Sequence, residues 1–286
     1  MNPRADGSRG RRLGPRRAAN DHVGELSDQL SMRLNPPLPK LPSGLRPMLA
    51  RPLPAPFDSS AHLFEPIWGG ARALALIGPA AKPGTGEVSL VAEDGTAGPA
   101  PLDLAGLAAR VAARSAVLDG EIVVVDDAGR LDHEELARRF AGEAGRPLSY
   151  LAFDLLDLDG RSLLNLPLEK RRVLLRQVLR PGDEVVAVPS IAAEGIALFE
   201  AVTAQGLFGI RARQRTSPYL PGVRSRLWRS VAVAGSEAGP IGLAAARADA
   251  AEMAAATDIT GVPSGRTEHV LALIRRLPLE FDDEDG

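Results

Sequence analysis

The chain of 286 residues contains no cysteine and only three lysines, Lys40, Lys82 and Lys170. The first absence excludes disulfides and thiolate metal sites, and it accords with a reducing cytoplasm. The second confines any amine nucleophile to three side chains, because arginine, which supplies the remaining strong cations, stays protonated throughout the working pH range. Four scattered histidines, His22, His62, His133 and His269, lack the spacing of a metal site. No apolar run approaches the ~20 residues of a membrane span, and the basic N-terminus lacks the apolar stretch of a secretory signal. A cytoplasmic location with no membrane partner is expected. The net charge of −2 argues against wholesale binding of a polyanion, so any nucleic-acid affinity must come from local patches.

What is present is a globular composition, 45% hydrophobic, on a chain longer than the usual ~100–200 residues of one domain. Residues 1–45 are rich in Arg, Gly and Pro without sustained periodicity and read as a disordered basic arm. Its arginines Arg4, Arg9, Arg11, Arg12, Arg16 and Arg17 suit phosphate contacts, or form a solvated tail. Residues 46–233 alternate strand and helix signals. Residues 234–286 read as an Ala-rich helical tail, with stretches at LAAARADAAEMAAA and TEHVLALIRRL, ending in the acidic EFDDEDG.

Within the middle segment, HLFEPIW, RALALIG, EVSLVAE, AVLDGEIVVVD, SYLAFDLLDLDG, EVVAVPSI, GIRARQR and RLWRSVAVAG read as strands. DLAGLAARVAARS places Leu104, Leu107, Ala108 and Val111 on one helical face. DHEELARRF follows the turn DDAGR as a helix that Asp132 can cap, and Pro167 opens another at PLEKRRVLLRQVL. EGIALFEAVTAQ completes the helices, and SPYLPG is a loop. Such interleaving predicts one α/β or α+β layered domain.

The turn EPIWGGAR, residues 65–72, looks like a site between two strands yet carries no nucleophile at its centre. Together with PMLARPLPAPFDS, VLDGEIVVVDDAGR, YLAFDLLDLDGRSLLNLPLEKRR, LFEAVTAQGLFGIRAR and SPYLPGVRSRLW, it resembles the adenylation domain of ATP-dependent DNA ligases, of the bacterial end-joining kind. The phrases fall in that family's order over about residues 47–232. The resemblance implies an α+β nucleotidyltransferase (ATP-grasp-like) fold of antiparallel sheets with flanking helices. It also implies an oligonucleotide-binding β-barrel after the last motif, but the residues past Val233 read as helix, and no such C-terminal barrel is expected.

In that family the first motif is Glu-x-Lys-x-Asp-Gly-x-Arg, whose lysine attacks the α-phosphate of ATP to form lysyl-AMP. Here Glu65, Gly70 and Arg72 match, Ile67 stands at the lysine position and Gly69 at the aspartate position. An alkyl side chain has no lone pair, so no catalytic residue is assigned. Ser-Arg-Asn-Gly is replaced by AEDG, which puts Glu93 where a phosphate-side arginine belongs. Gly-Leu-Glu-Gly is replaced by GLFG, with Phe208 at a metal-associated carboxylate, and two phosphate-binding lysines fall at Ser230 and Ala232. The resemblance assigns nucleotide contacts to the residues retained, Glu65, Arg72, Glu121, the base-stacking Phe153, and Arg213 at a lysine position. Each has a structural alternative: Phe153 and Phe208 as core, Glu121 ending a strand at a solvated turn, and Arg72 paired with Glu65 across the turn.

Three functional readings follow. One is a catalytically defective ligase-like domain serving as a binding or scaffolding module in DNA repair, with DNA and other repair proteins as partners. Another is an active ATP-dependent ligase or adenylyltransferase using ATP or AMP with Mg and a non-standard nucleophile or partner. The third is a nucleic-acid-binding accessory protein acting through its basic arm.

Overall fold

Runs of β-branched and apolar residues bounded by Gly, Pro and Asp become twelve strands in the computed structural model, which describes residues 38–126 and 130–234. A five-stranded sheet has the order β1 (Leu49–Pro52), β12 (Arg224–Ala232), β11 (Gly209–Gln214), β2 (Ser59–Ile67) and β10 (Ile191–Ala193). The second sheet has the order β5 (Ala97–Pro99), β4 (Val88–Ala92), β3 (Ala71–Ile77), β6 (Ala116–Val123), β7 (Ser149–Leu158) and β8 (Arg161–Ser162), with β9 (Val185–Ala187) also on β7. Pairing is antiparallel except for β1 with β12 and β7 with β9. The expected α+β architecture of antiparallel sheets with few helices is what forms.

The helices follow local chemistry. The Asp132 carboxylate accepts from the Glu135 N–H at 2.9 Å and caps α1 (His133–Phe140). Pro167 opens α2 (Leu168–Val178). At α3 (Gly195–Ala204) the Ile196 N–H donates to Asp58 at 2.9 Å, which satisfies a first-turn donor from outside the helix. Leu104, Leu107, Ala108 and Val111 are buried together as the spacing predicts, but over Leu102–Arg110 the chain winds as a tighter 3₁₀ helix.

One apolar cluster lies on the second sheet, where β3, β6 and β7 meet the 3₁₀ segment, α1 and α2. Another brings Phe64, Ile210 and Ala212 of the first sheet against Val123, Leu151 and Phe153 of the second, with Leu198 and Val202 of α3. A third joins Leu45 and Met48 to Val117, Leu156, Tyr219 and Trp228. Leu41 and Leu45, which the sequence reading places in the arm, pack into this third cluster, so the ordered boundary moves N-terminal of residue 46. The rest of the arm, residues 127–129 of the DDAGR turn, and the tail beyond residue 234 lie outside the described residues.

The EPIWGGAR segment is the link between the sheets. Ile67 is the last residue of β2 in the first sheet, and Ala71 the first of β3 in the second. A Cβ on Gly70 would lie 2.4 Å from the Ile122 carbonyl oxygen, so only glycine lets the crossover pass against β6. The turn's geometry therefore has a structural reason independent of any chemistry.

Candidate functional site

Charged residues in otherwise apolar strands gather between the two sheets. Glu65 on β2 and Arg211 and Arg213 on β11 come from the first sheet; Arg72 on β3, Asp119 and Glu121 on β6, and Phe153 and Asp154 on β7 come from the second. Arg171 and Arg172 enter from α2. All ten are buried. Five guanidinium groups thus share this space with four carboxylates.

The pairings are specific. Asp119 and Asp154 are cross-strand partners, a juxtaposition of like charges that is unfavourable unless each carboxylate is neutralised. Arg72 forks onto Asp119 with two hydrogen bonds of 2.7 Å, and the Tyr219 hydroxyl donates to the same carboxylate at 2.8 Å. Arg171 forks onto Asp154 at 2.8 and 2.7 Å, and both side chains are 0% exposed. Its remaining nitrogen donates to the carbonyls of Leu166 and Ser217. Arg172 joins the sheets by donating to Glu65 and to the carbonyls of Phe153 and Val188. Arg211 meets Glu121 at 3.1 Å.

Phe153 is the hub. The Arg213 guanidinium lies 4.0 Å from its ring centroid and 4.4 Å from that of Trp228, and the Arg72 guanidinium lies 4.5 Å from Phe153. The ring retains only 2% of its exposure. Arg213 stands 3.3 Å from Glu65, yet none of its side-chain nitrogens makes a hydrogen bond.

These surroundings move the ionisations. Burial pushes Arg213 down to about 10, with Arg211 and Arg72 adding repulsion against the attraction of Glu65. Burial acts the same way on Arg72, but the Asp119 carboxylate overrides it and raises Arg72 above its ordinary value. Asp154 is raised by burial, with Arg171 opposing the shift. Burial and the neighbouring Asp119 both raise Tyr219.

The five residues assigned from the resemblance, Glu65, Arg72, Glu121, Phe153 and Arg213, are therefore brought together, but in one another's company. Two structural alternatives need correction. Arg72 pairs with Asp119 and not with Glu65, because β3 lies beside β6 and carries the arginine into the second sheet. Glu121 does not end a strand at a solvated turn; it is buried inside β6 opposite Arg72. Asp119, Asp154, Arg171, Arg172 and Arg211 were not assigned from the sequence. The available signal was a charge inside an apolar strand, as in LAFDLLDL, and two adjacent arginines in a helix.

The replaced positions also form a unit. A Cβ on Gly69 would stand 2.5 Å from two atoms of the Phe208 ring, so the aromatic at one position presupposes glycine at the other. Phe208 meets His133 edge to face, with centroids 4.8 Å apart. Ile67 is buried at the end of β2, and all three lysines are exposed. No group of three or more His, Asp or Glu suited to a metal ion occurs among the described residues. An alkyl group and a phenyl ring thus stand at the positions that the resemblance gives to the lysine and to a carboxylate, while the three side-chain nitrogens of Arg213 and Oε2 of Glu121 are buried without a hydrogen bond.

His133 adds a pH effect. Burial lowers its pKa, against the opposing charge of Asp132. A histidine with a depressed folded pKa contributes stability above the unfolded value of about 6.5, and that stability is lost as pH falls through the folded pKa. His62 is lowered in the same direction by burial and by Arg229. Denaturation midpoints should therefore fall between about pH 7.5 and about pH 5, and His133→Gln should flatten part of that slope. An unchanged slope in the variant would remove His133 from this role.

The family model for the ATP dependent DNA ligase domain matches residues 100–231. The probable DNA ligase of Rhodococcus opacus is 37% identical over 133 residues, covering 45% of this chain and 26% of the relative. The multifunctional non-homologous end joining protein LigD of Mycobacterium bovis is 33% identical over 186 residues, covering 64% of this chain and 23% of the relative. The chain thus spans about a quarter of the length of these curated relatives. Among solved structures, mycobacterial DNA ligase D complexed with ATP and MES is similar, with a TM-score of 0.55 and 30% identity over 66% of this chain and 60% of that one. The ligase domain of M. tuberculosis LigD gives 0.52 and 30%, over 65% and 58%. In sequence and in fold, the described residues match the adenylation domain of ATP-dependent DNA ligases, of the kind found in bacterial end-joining ligases.

Proposed function

We propose that this domain is a ligase-like module without covalent catalysis, which serves DNA repair by binding or scaffolding. The carrying observation is the buried ionic core around Phe153: Glu65, Arg72 and Glu121, which would hold a nucleotide, are each engaged by a charged neighbour, and Arg213 lies on the ring where a base would stack. Ile67 removes the nucleophile, and the interlock of Gly69 with Phe208 removes two acidic positions at once. Electrostatic support for phosphoryl transfer needs donors and cations aimed at the transferred group. Here the guanidinium groups are aimed at carboxylates.

Ile67→Lys alone should yield no adenylation, because the lysine would arrive without acidic, metal or phosphate partners. Robust labelling of that single variant by ATP would show that the surrounding site is competent. The module itself is tested with nicked duplex DNA, ATP and magnesium. Retarded mobility of the duplex with the nick left open supports the reading, and sealing of the nick overturns it.

A further inference from the structure

A concave site is lined by none of the residues of the ionic core. It has a volume of about 380 Å³ and is lined by Leu53, Phe57, His62, Gln214, Arg226 and Arg229. That volume falls within the range of small-ligand sites. Three adjacent strands, β2, β11 and β12, supply the polar residues, and His62 and Gln214 are direct cross-strand partners.

The backbone places Arg226 there through an irregularity. Along the parallel pair of β1 and β12, Ala50 faces Ser225 but Arg51 faces Arg229, where regular pairing would give Arg226. Three extra residues of β12 are accommodated at this step, and the Leu227 N–H donates to the Ser225 hydroxyl within it. Such bulges re-aim side chains at a sheet edge. Arg226 and Arg229 thereby line one wall, and neither has a carboxylate partner among the described residues. Arg226 is exposed and Arg229 half-buried, whereas Arg211 and Arg213 of β11, and Arg215 just after it, each face a glutamate.

His62 is held for the same purpose. Its Nδ1 lies 2.9 Å from the Ser59 hydroxyl, and the Phe57 ring packs edge-on against the imidazole at 5.3 Å. Nε2 makes no hydrogen bond among the described residues. Two guanidinium groups, an imidazole and a carboxamide therefore line this space together with the apolar Leu53 and Phe57. A bare inorganic anion would use the first half of that lining only. A phosphate ester with a planar body uses both, with the phosphate forked by arginine and the ring on the aromatic surface.

We propose that this pocket binds a nucleotide unit, its phosphate between Arg226, Arg229 and His62 and its base against Phe57 and Leu53. The site shares no residue with the ionic core and stands whether or not that core is catalytically silent. The unit is either a free nucleotide or one residue of a single strand. The strand would continue past the exposed Arg51 and Arg224 beside the pocket, Arg51 being the cross-strand partner of Arg229.

The test is calorimetric titration of the whole protein with inorganic phosphate, thymidine monophosphate and a short oligothymidylate, alongside Arg226→Gln, Arg229→Gln and His62→Gln. Thymidine monophosphate should bind more tightly than phosphate, and each arginine replacement should weaken it by about tenfold or more. The His62 imidazole resonances should titrate at higher pH in the complex, because the phosphate offsets Arg229. Tighter binding of the oligothymidylate, weakened by the same replacements, assigns the source to a strand; equal affinity assigns it to a free nucleotide. No saturable binding of any probe, or binding indifferent to both arginine replacements in variants that melt like the parent, overturns the proposal. Because these variants leave the ionic core untouched, failure here is distinguishable from failure of the reading of that core as catalytically silent.

Discussion

Arg171→Met should destabilise the domain by about 3–5 kcal/mol, because it leaves the fully buried Asp154 carboxylate without its fork. The loss is large for two reasons. Asp154 is fully buried, and its cross-strand partner is Asp119, whose repulsion at Asp154 the missing arginine offset. The same change releases the carbonyls of Leu166 and Ser217, which Arg171 ties to α2. Replacing both partners, Arg171→Met with Asp154→Leu, should recover most of the loss, since a buried pair contributes little net stability beyond a well-packed apolar pair. Urea denaturation of the parent, both single variants and the double variant measures this. Additive losses in the double variant would show that the two charges act independently.

Gly69→Ala should cost about 2–4 kcal/mol, the sum of a left-handed backbone position and overpacking. Gly69 has φ +75°, and its added methyl would enter the Phe208 ring. Adding Phe208→Ala should remove the steric part and leave about 1–2 kcal/mol from the backbone, apart from the separate cost of losing the ring's contact with His133. A double-mutant cycle by thermal denaturation therefore predicts strong coupling between these positions. Zero coupling would mean that Phe208 swings away freely and does not enforce glycine at residue 69.

Much of the fold was legible because its strands are apolar runs with clear punctuation. AVLDGEIV and SYLAFDLL form β6 and β7, and the Asp159 and Gly160 turn has the positive φ values such residues favour. β1 was not legible, since the prolines of PMLARPLP break any strand pattern; it is an edge strand, where proline is tolerated. The winding of residues 102–110 was also out of reach, because i and i+3 positions coincide closely enough in both helix types to give the same buried face.

For the site, the resemblance located residues but not their partners. Arg72 and Glu65 are close in sequence, yet the crossover at Gly69 and Gly70 sends them into different sheets and to different counterions. Asp154, Arg171 and Arg172 sat inside recognised phrases but carried no role there, and only the tertiary arrangement shows that they neutralise the cluster. The turn EPIWGGAR looked empty at its centre. Its emptiness is the passage of the chain between two sheets, filled from the other side by Phe208.

If, as we propose, no side chain of this domain forms a covalent adenylate, intact-mass analysis of the purified protein after incubation with ATP and magnesium should show an unchanged mass. A stoichiometric gain of one AMP, mapped to Lys40, Lys82, Lys170 or any other residue, would contradict it.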